Sequence, residues 1–261
     1  LVKSTCSIRC YEELNDFLPP ERRKVGFTHH FQGRTSVKDL IEAVGIPHTE
    51  IDLILVNGAS VDFSYLVRDG DRISVYPLFE AFDIQPVSRV RPHPLRVSRF
   101  VLDVHLGKLA RYLRLLGFDT LYRNDYDDAE LARLAGAERR ILLTRDRALL
   151  KGAVVTHGLF VRATDPRRQI EEVLDRLDLH RAIQPFRRCV RCNGLLAAVS
   201  RHQVWERLPP KTRLYVDAFW ECGQCGHLYW EGSHLPALRR FVEELQARAG
   251  GAIPAAGPTG G

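Results

Sequence analysis

Two short cysteine pairs, Cys189-x2-Cys192 and Cys222-x2-Cys225, constrain this chain more than any other feature. Thiolates at this spacing are the ligand set of a tetrahedral structural zinc site. Gly194, Gly223 and Gly226 stand in or beside the pairs, where the backbone must turn closely around sulfur. The expectation is a zinc ribbon, two tight knuckles joined by short strands over residues 193–221. Cys189, Cys192, Cys222 and Cys225 complete the coordination, so His227 and His234 are not needed as ligands. Cys6 and Cys10 are a different case. They fall in an alternating apolar and polar run that reads as a strand, where four residues span ~13 Å. A disulfide needs Cα atoms within about 7 Å, so both are expected in a core.

The 261 residues leave room for roughly two or three small domains. No apolar run approaches the ~20 residues that span a bilayer. Leu1 does not read as an ordinary start, and the chain contains no Met. With no signal-peptide pattern at its head, a reducing cytoplasm is the expected compartment. The net charge of +6 is carried by 38 Lys and Arg in which Arg predominates, which favours an acidic partner, nucleic acid first.

Pattern reading divides the chain into a multi-domain α/β protein. Residues 1–85 hold strands expected over 4–11, 24–31, 51–56 and 72–79, with one more before Asp69-Gly70. A helix begins at Val37 behind Ser36 as N-cap, and Asn57-Gly58 is a hairpin turn signal. This order is that of an α+β β-grasp. Residues 86–97 form a Pro- and Arg-rich linker, and 98–183 alternate strand and helix as in a parallel sheet covered by helices. The ribbon and a C-terminal helix with Leu238, Phe241, Val242 and Leu245 on its apolar face take 184–248. A Pro/Gly/Ala tail expected to be disordered takes 249–261.

The run through Ile54-Leu55-Val56-Asn57-Gly58 and Asp69-Gly70-Asp71-Arg72-Ile73-Ser74-Val75-Tyr76-Pro77 resembles the ubiquitin-like sulfur carriers ThiS and MoaD. Those carriers act through a Gly-Gly after the last strand. Here the chain continues Phe79-Glu80-Ala81-Phe82, which points to a binding or docking module for a protein partner.

In a parallel sheet, ligands gather beyond the carboxyl ends of the strands. Asp103 and Asp146 each follow an apolar strand there, and Asp125, Asp127, Asp128 and Glu130 could join them. Carboxylates brought together repel unless a divalent cation neutralises them, and hard oxygen ligands suit Mg²⁺ or Mn²⁺. Asp128 and Asp165 also read as helix N-caps, Asp165 more so because Pro166 follows it. Lys108, Arg111 and Arg114 recur along the helix after Asp103, and Arg145 and Arg147 flank Asp146. Beside carboxylates, this basic stripe reads as phosphate contact. Around the cysteines, Arg187, Arg188 and Arg191 are candidates for RNA, while Trp220 and Trp230 are better read as the small core a ribbon needs.

The stretches Leu106-Gly107-Lys108-Leu109-Ala110-Arg111-Tyr112, Asp127-Asp128-Ala129-Glu130-Leu131 and Ile141-Leu142-Leu143-Thr144-Arg145-Asp146 resemble the Mut-seven C-terminal RNase family. Cys189-x2-Cys192-Asn193, Cys222-x2-Cys225-Gly226 and Tyr229-Trp230-Glu231-Gly232-Ser233-His234 carry the same resemblance, over roughly 99–245. The family implies a PIN-like nuclease fold ending in a zinc ribbon, and an N-terminal ubiquitin-like extension fits its architectures. It also implies a catalytic set of Asp103, Asp128, Thr144 and Asp146 holding Mg²⁺ or Mn²⁺, with a fourth acid for which Glu130, Asp125 and Asp165 compete. The function implied is a metal-dependent ribonuclease acting on single-stranded or structured RNA, leaving a 5′-phosphate and a 3′-hydroxyl. A non-catalytic RNA-binding adaptor and a docking protein led by the first domain are the alternatives.

Overall fold

Alternation in the first segment builds a mixed sheet. β1 (Ser4–Cys10) buries Cys6, Ile8 and Cys10 on one face and pairs antiparallel with β2 (Phe27–Phe31). Ser36 caps α1 (Val37–Ala43), its Oγ accepting the Asp39 N–H at 3.1 Å, and Val37, Leu40 and Ile41 enter the core. β3 (Ile51–Val56) turns into β4 (Ala59–Val61) through Asn57 and Gly58, at φ 52° and 89°. Both positive angles are what a primed hairpin turn demands. β5 (Arg72–Pro77) then runs parallel to β1 and antiparallel to β3, giving the order β2-β1-β5-β3-β4 over one helix, a β-grasp. The strand expected before Asp69-Gly70 stops early. Asp62 Oδ1 takes the Ser64 N–H at 2.8 Å and turns the chain, leaving Leu66 a single bridge to Ser36.

The computed structural model describes residues 4–77, 89–90, 98–232 and 234–248. Most of the linker over 86–97, the segment Phe79-Glu80-Ala81-Phe82 and the tail over 249–261 therefore lie outside the described residues. Within the linker, Val90 is buried in the β-grasp core.

A second sheet starts at β6 (Arg99–Leu102), followed by α2 (Gly107–Leu115), β7 (Asp119–Leu121) and α3 (Asp128–Ala137). β8 (Ile141–Thr144), α4 (Arg147–Leu150), β9 (Gly158–Phe160) and α5 (Pro166–Arg176) complete it. The strand order is β7-β6-β8-β9, with β6, β8 and β9 parallel. Ile141 to Thr144 are all buried, as expected of a strand covered on both faces. Gly117 ends α2 at φ 96°, where a side-chain carbon would lie 2.1 Å from the Gln184 carbonyl oxygen.

The last part is an antiparallel three-stranded sheet of β10 (Leu196–Val199), β11 (Phe219–Cys222) and β12 (Leu228–Trp230). Between β10 and β11 lie α6 (Arg201–Val204) and α7 (Pro210–Tyr215), and α8 (Leu235–Ala247) follows β12. Phe241, Val242 and Leu245 of α8 are buried, whereas Leu238 is exposed and lines a groove instead of the core. No helix among the described residues is long and apolar enough to cross a membrane.

Contacts gather the chain into two compact units, Leu1–Gly107 with Leu121–Ala163, and Lys108–Thr120 with Thr164–Gly261. In the first unit the β-grasp is locked to the parallel sheet. Glu50, 1% exposed, accepts the backbone N–H of Phe160 in β9 at 2.5 Å. His48 Nε2 donates to the Val155 carbonyl at 2.8 Å, and Lys151 Nζ donates to the Glu42 carbonyl at 2.8 Å. Phe160 packs against the cores on both sides. Removing a buried acceptor exposes its donors to the full desolvation cost. Glu50→Ala is therefore expected to lower stability by about 2–3 kcal/mol, read as an earlier urea midpoint; a midpoint equal to wild type would show that this junction is not tight.

Candidate active site and metal centre

Parallel pairing of β6 with β8, Leu102 opposite Leu143, brings both strands out at the same edge of the sheet. The ladder runs on one bond further, from Asp103 N to the Leu143 carbonyl at 3.1 Å. Thr144, fully buried, donates its hydroxyl to Asp103 Oδ2 at 2.7 Å and accepts the Asp146 N–H at 2.9 Å. One hydroxyl thus ties the ends of two strands together. Asp103 is 7% exposed and its Oδ1 caps the turn after β6 through the His105 N–H at 3.3 Å. Asp146 is exposed and caps α4, taking the Ala148 N–H at 2.7 Å.

The other acids fall into separate roles. Asp127, rather than Asp128, caps α3 by accepting the Glu130 N–H at 2.7 Å, and Asp128 is the exposed first residue of that helix. Arg123 donates to both Asp125 oxygens, holding that carboxyl below its ordinary range, and Arg133 does the same for Glu130. Asp165 caps α5 through the Arg167 and Arg168 N–H groups, as its place before Pro166 implies. Among the described residues, Asp103, Asp128 and Asp146 do not gather into a group close enough to share one ion. The donor chemistry of Asp103 and Asp146, hard oxygens at one strand edge, nonetheless suits a hard divalent cation.

Of the basic residues, Lys108 and Arg111 are exposed on α2. Arg114 is not: at 4% exposure it donates to the carbonyls of Thr120 at 2.9 Å, Val190 at 3.3 Å and Arg191 at 2.9 Å. The expectation that Arg114 meets RNA is corrected on this ground, since its guanidinium is buried and its donors hold main-chain acceptors. Arg188 is similarly engaged, with the Gly117 carbonyl at 3.2 Å and that of Asn193 at 3.0 Å. Arg145 Nη1 donates to the carbonyls of Val161, Arg162 and Ala163, while Arg187, exposed, donates to the Gln184 side chain. Arg147 rests over two aromatic rings.

The four sulfurs of Cys189, Cys192, Cys222 and Cys225 lie within 4.8 Å of one another and could hold one metal ion. Cys189 to Cys225 is 3.7 Å and Cys192 to Cys222 is 3.4 Å. Zinc–sulfur bonds of about 2.3 Å in a tetrahedron require sulfur edges of about 3.8 Å, so the cradle fits zinc. Each knuckle turns through a left-handed residue after its second cysteine, Asn193 at φ 75° and Gly226 at φ 66°. Asn tolerates that region and brings a side chain too. Its Oδ1 accepts the Thr120 N–H at 2.9 Å and its Nδ2 donates to Asp119 at 2.9 Å. Gly194 has no such freedom to vary, because a Cβ there would meet Cys222 Sγ at 2.8 Å. Burial pushes the Cys189 thiol up. Hydrogen bonds from Tyr229 Oη, at 3.1 Å, and from the Cys192 and Arg191 backbone outweigh burial and bring it down to about 6.

Beside the knuckles lies a groove of about 650 Å³ whose walls include Phe186, Trp220, Tyr229, Trp230, His227 and Arg239. The core of the ribbon is instead Phe219 with Val204, Leu208 and Leu228. Trp220 and Trp230, expected as core, are only partly buried, and Trp230 packs on the edge of that cluster. Arg114 and Asn193, the residues that anchor the first knuckle, carry no chemical signature in sequence beyond the Cys-x2-Cys-Asn motif. Arg114→Met is expected to lower stability by about 2–3 kcal/mol by stranding buried carbonyls. It should also speed zinc loss to a chelator, followed by absorbance of a released-metal dye, while leaving the salt dependence of RNA binding as in wild type. A reduced salt slope would restore Arg114 to the RNA contacts.

The family described as Mut7-C RNAse domain matches residues 98–242, and Mut7-C ubiquitin matches residues 3–83. Comparison with curated proteins returned no match. The first match spans the parallel sheet and the cysteine cradle, and the second spans the β-grasp. With more than half of its length accounted for by the nuclease match, the chain belongs to the Mut7-C RNase family and carries that family's ubiquitin-like domain ahead of the RNase domain.

Proposed function

We propose that this chain is a Mg²⁺- or Mn²⁺-dependent ribonuclease of the cytoplasm that hydrolyses RNA phosphodiesters, with a zinc ribbon that helps hold the RNA. The observation that carries this reading is the hydrogen-bonded link Asp103–Thr144–Asp146 at one edge of the parallel sheet. Held by Asp103 and Asp146, a divalent cation would supply an activated water and neutralise charge building on the phosphate. Asp128, the third carboxylate the family implies, does not complete a three-carboxylate group with them among the described residues.

The chain's own groups prepare that site. The Thr144 hydroxyl fixes one oxygen of Asp103 in a buried setting. Asp146 is aimed by its cap on α4, so that both carboxylates are held by short bonds before any ligand arrives. Arg147 presents positive charge that would draw the polyanionic substrate to this edge, and Lys108, Arg111 and Arg187, exposed in the other unit, offer charge to the same class of substrate. A second reading, a non-catalytic RNA-binding adaptor, is favoured by the failure of Asp103, Asp128 and Asp146 to form a three-carboxylate group among the described residues.

End-labelled single-stranded and structured RNA incubated with Mn²⁺ or Mg²⁺ separates the two. Asp103→Asn and Asp146→Asn, each folded and zinc-replete, should cut at least about 100-fold more slowly than wild type, several kcal/mol of transition-state stabilisation. Equal cutting by all three proteins would reject the carboxylate site, and intact RNA that stays bound would favour the adaptor. Thr144→Val keeps shape and removes the hydroxyl. It is expected to raise the Mn²⁺ concentration for half-maximal cleavage roughly 10-fold or more, the usual effect of a lost ligand-orienting bond.

A further inference from the structure

Three arginines crowd the edge formed by β8 and β9, and two of them are held by acceptors. Arg145 donates to main-chain carbonyls, and Arg162 pairs with Asp16 at 3.1 Å and lies 3.7 Å from Glu50. Arg147 differs. Its guanidinium carbon sits 5.0 Å from the ring centre of Phe17 and 5.3 Å from that of Phe160. Among the described residues, no carbonyl or carboxylate takes a hydrogen bond from it. The two rings meet edge to face, 5.6 Å apart at 66°, so they form one surface. Phe160 belongs to β9, but Phe17 is a buried residue of the β-grasp core. Arg147 itself is the residue directly after Asp146 and opens α4.

A guanidinium held by ring faces is restrained in position while its in-plane N–H donors stay open to an anion. Arg145, by contrast, is held by main-chain carbonyls that occupy its Nη1 donors. We propose that Phe17 of the ubiquitin-like domain is a positioning residue of the nuclease: with Phe160 it seats Arg147 to receive an RNA phosphate beside Asp146. The inference rests on the ribonuclease reading above and adds to it a role in substrate binding for the first domain.

The test is binding of a fluorescein-labelled single-stranded RNA to the full chain, without added Mg²⁺ or Mn²⁺, over a series of salt concentrations. Arg147→Gln should weaken binding and lower the slope of log K against log salt by about 0.7, one phosphate contact on a single strand. Arg147→Lys should keep the slope but not the full affinity, because a lysine does not stack as a planar group. Phe17→Leu keeps apolar bulk and should weaken binding roughly threefold to fivefold, the scale of one partly exposed cation–ring contact. In an Arg147→Gln background, Phe17→Leu should have no further effect. Melting curves and zinc content confirm that each variant is folded, and Phe160→Leu probes the seat from the nuclease side if Phe17→Leu does not fold. An unchanged salt slope in Arg147→Gln, or equal effects of the ring variants with and without Arg147, overturns the proposal. Absence of metal-dependent cleavage by the wild type, with this coupling intact, removes the ribonuclease reading alone; absence of RNA binding by the wild type overturns both.

Discussion

A main-chain N–H or C=O that leaves a regular ladder and enters the interior must find a partner. In both compact units that demand is met by charged side chains at points where regular structure stops. Glu50 takes the Phe160 N–H at the end of β9, and Arg114 takes the carbonyls of Thr120, Val190 and Arg191 around the first knuckle. Each is almost fully buried, so each is anchored by the groups it satisfies. Ordinary apolar side chains could fill the same space but could not answer those polar atoms. The rest of each unit can be close-packed because these junctions are not left unsatisfied.

Thr144 applies the same principle to chemistry. A hydroxyl can donate and accept at once. Here it does both, donating to Asp103 and accepting from the backbone of Asp146. Parallel pairing alone would set the two strand ends side by side. The threonine converts that proximity into a fixed orientation of one carboxylate, in surroundings dry enough for the bond to matter.

Much of this architecture was legible in the residues. Period-two alternation at Cys6, Ile8 and Cys10, the Asn57-Gly58 turn, the apolar runs ending at Asp103 and Asp146, and the cysteine pairs all have local causes. Local causes can be read from local sequence. The roles of Arg114, Glu50 and Leu238 were not legible in that way. An arginine at helical spacing among other cations reads as a solvated or phosphate-binding face, and only burial against residues far along the chain reveals a carbonyl clamp. Asp127 and Asp128 show the same limit at one-residue scale. Either can cap a helix, and which does so depends on the backbone angle at the turn. For the carboxylates, the apolar runs located a strand edge and the family resemblance supplied Thr144. That Asp103, Asp128 and Asp146 form no three-carboxylate group among the described residues is a matter of loop path that spacing does not encode.

The junction at Glu50 has a further consequence for the outer edge of the parallel sheet. β9 is the last strand in its sheet, and a bare outer strand offers its N–H and C=O groups as a template for another chain. Many proteins blunt such an edge with a bulge, a proline or a lysine. Here a folded domain sits against it, with a carboxylate that accepts one of the strand's own donors and an aromatic residue packed on both sides. The ubiquitin-like domain thus covers part of this edge and takes up one of its outward donors, as an extra strand would, without extending the sheet.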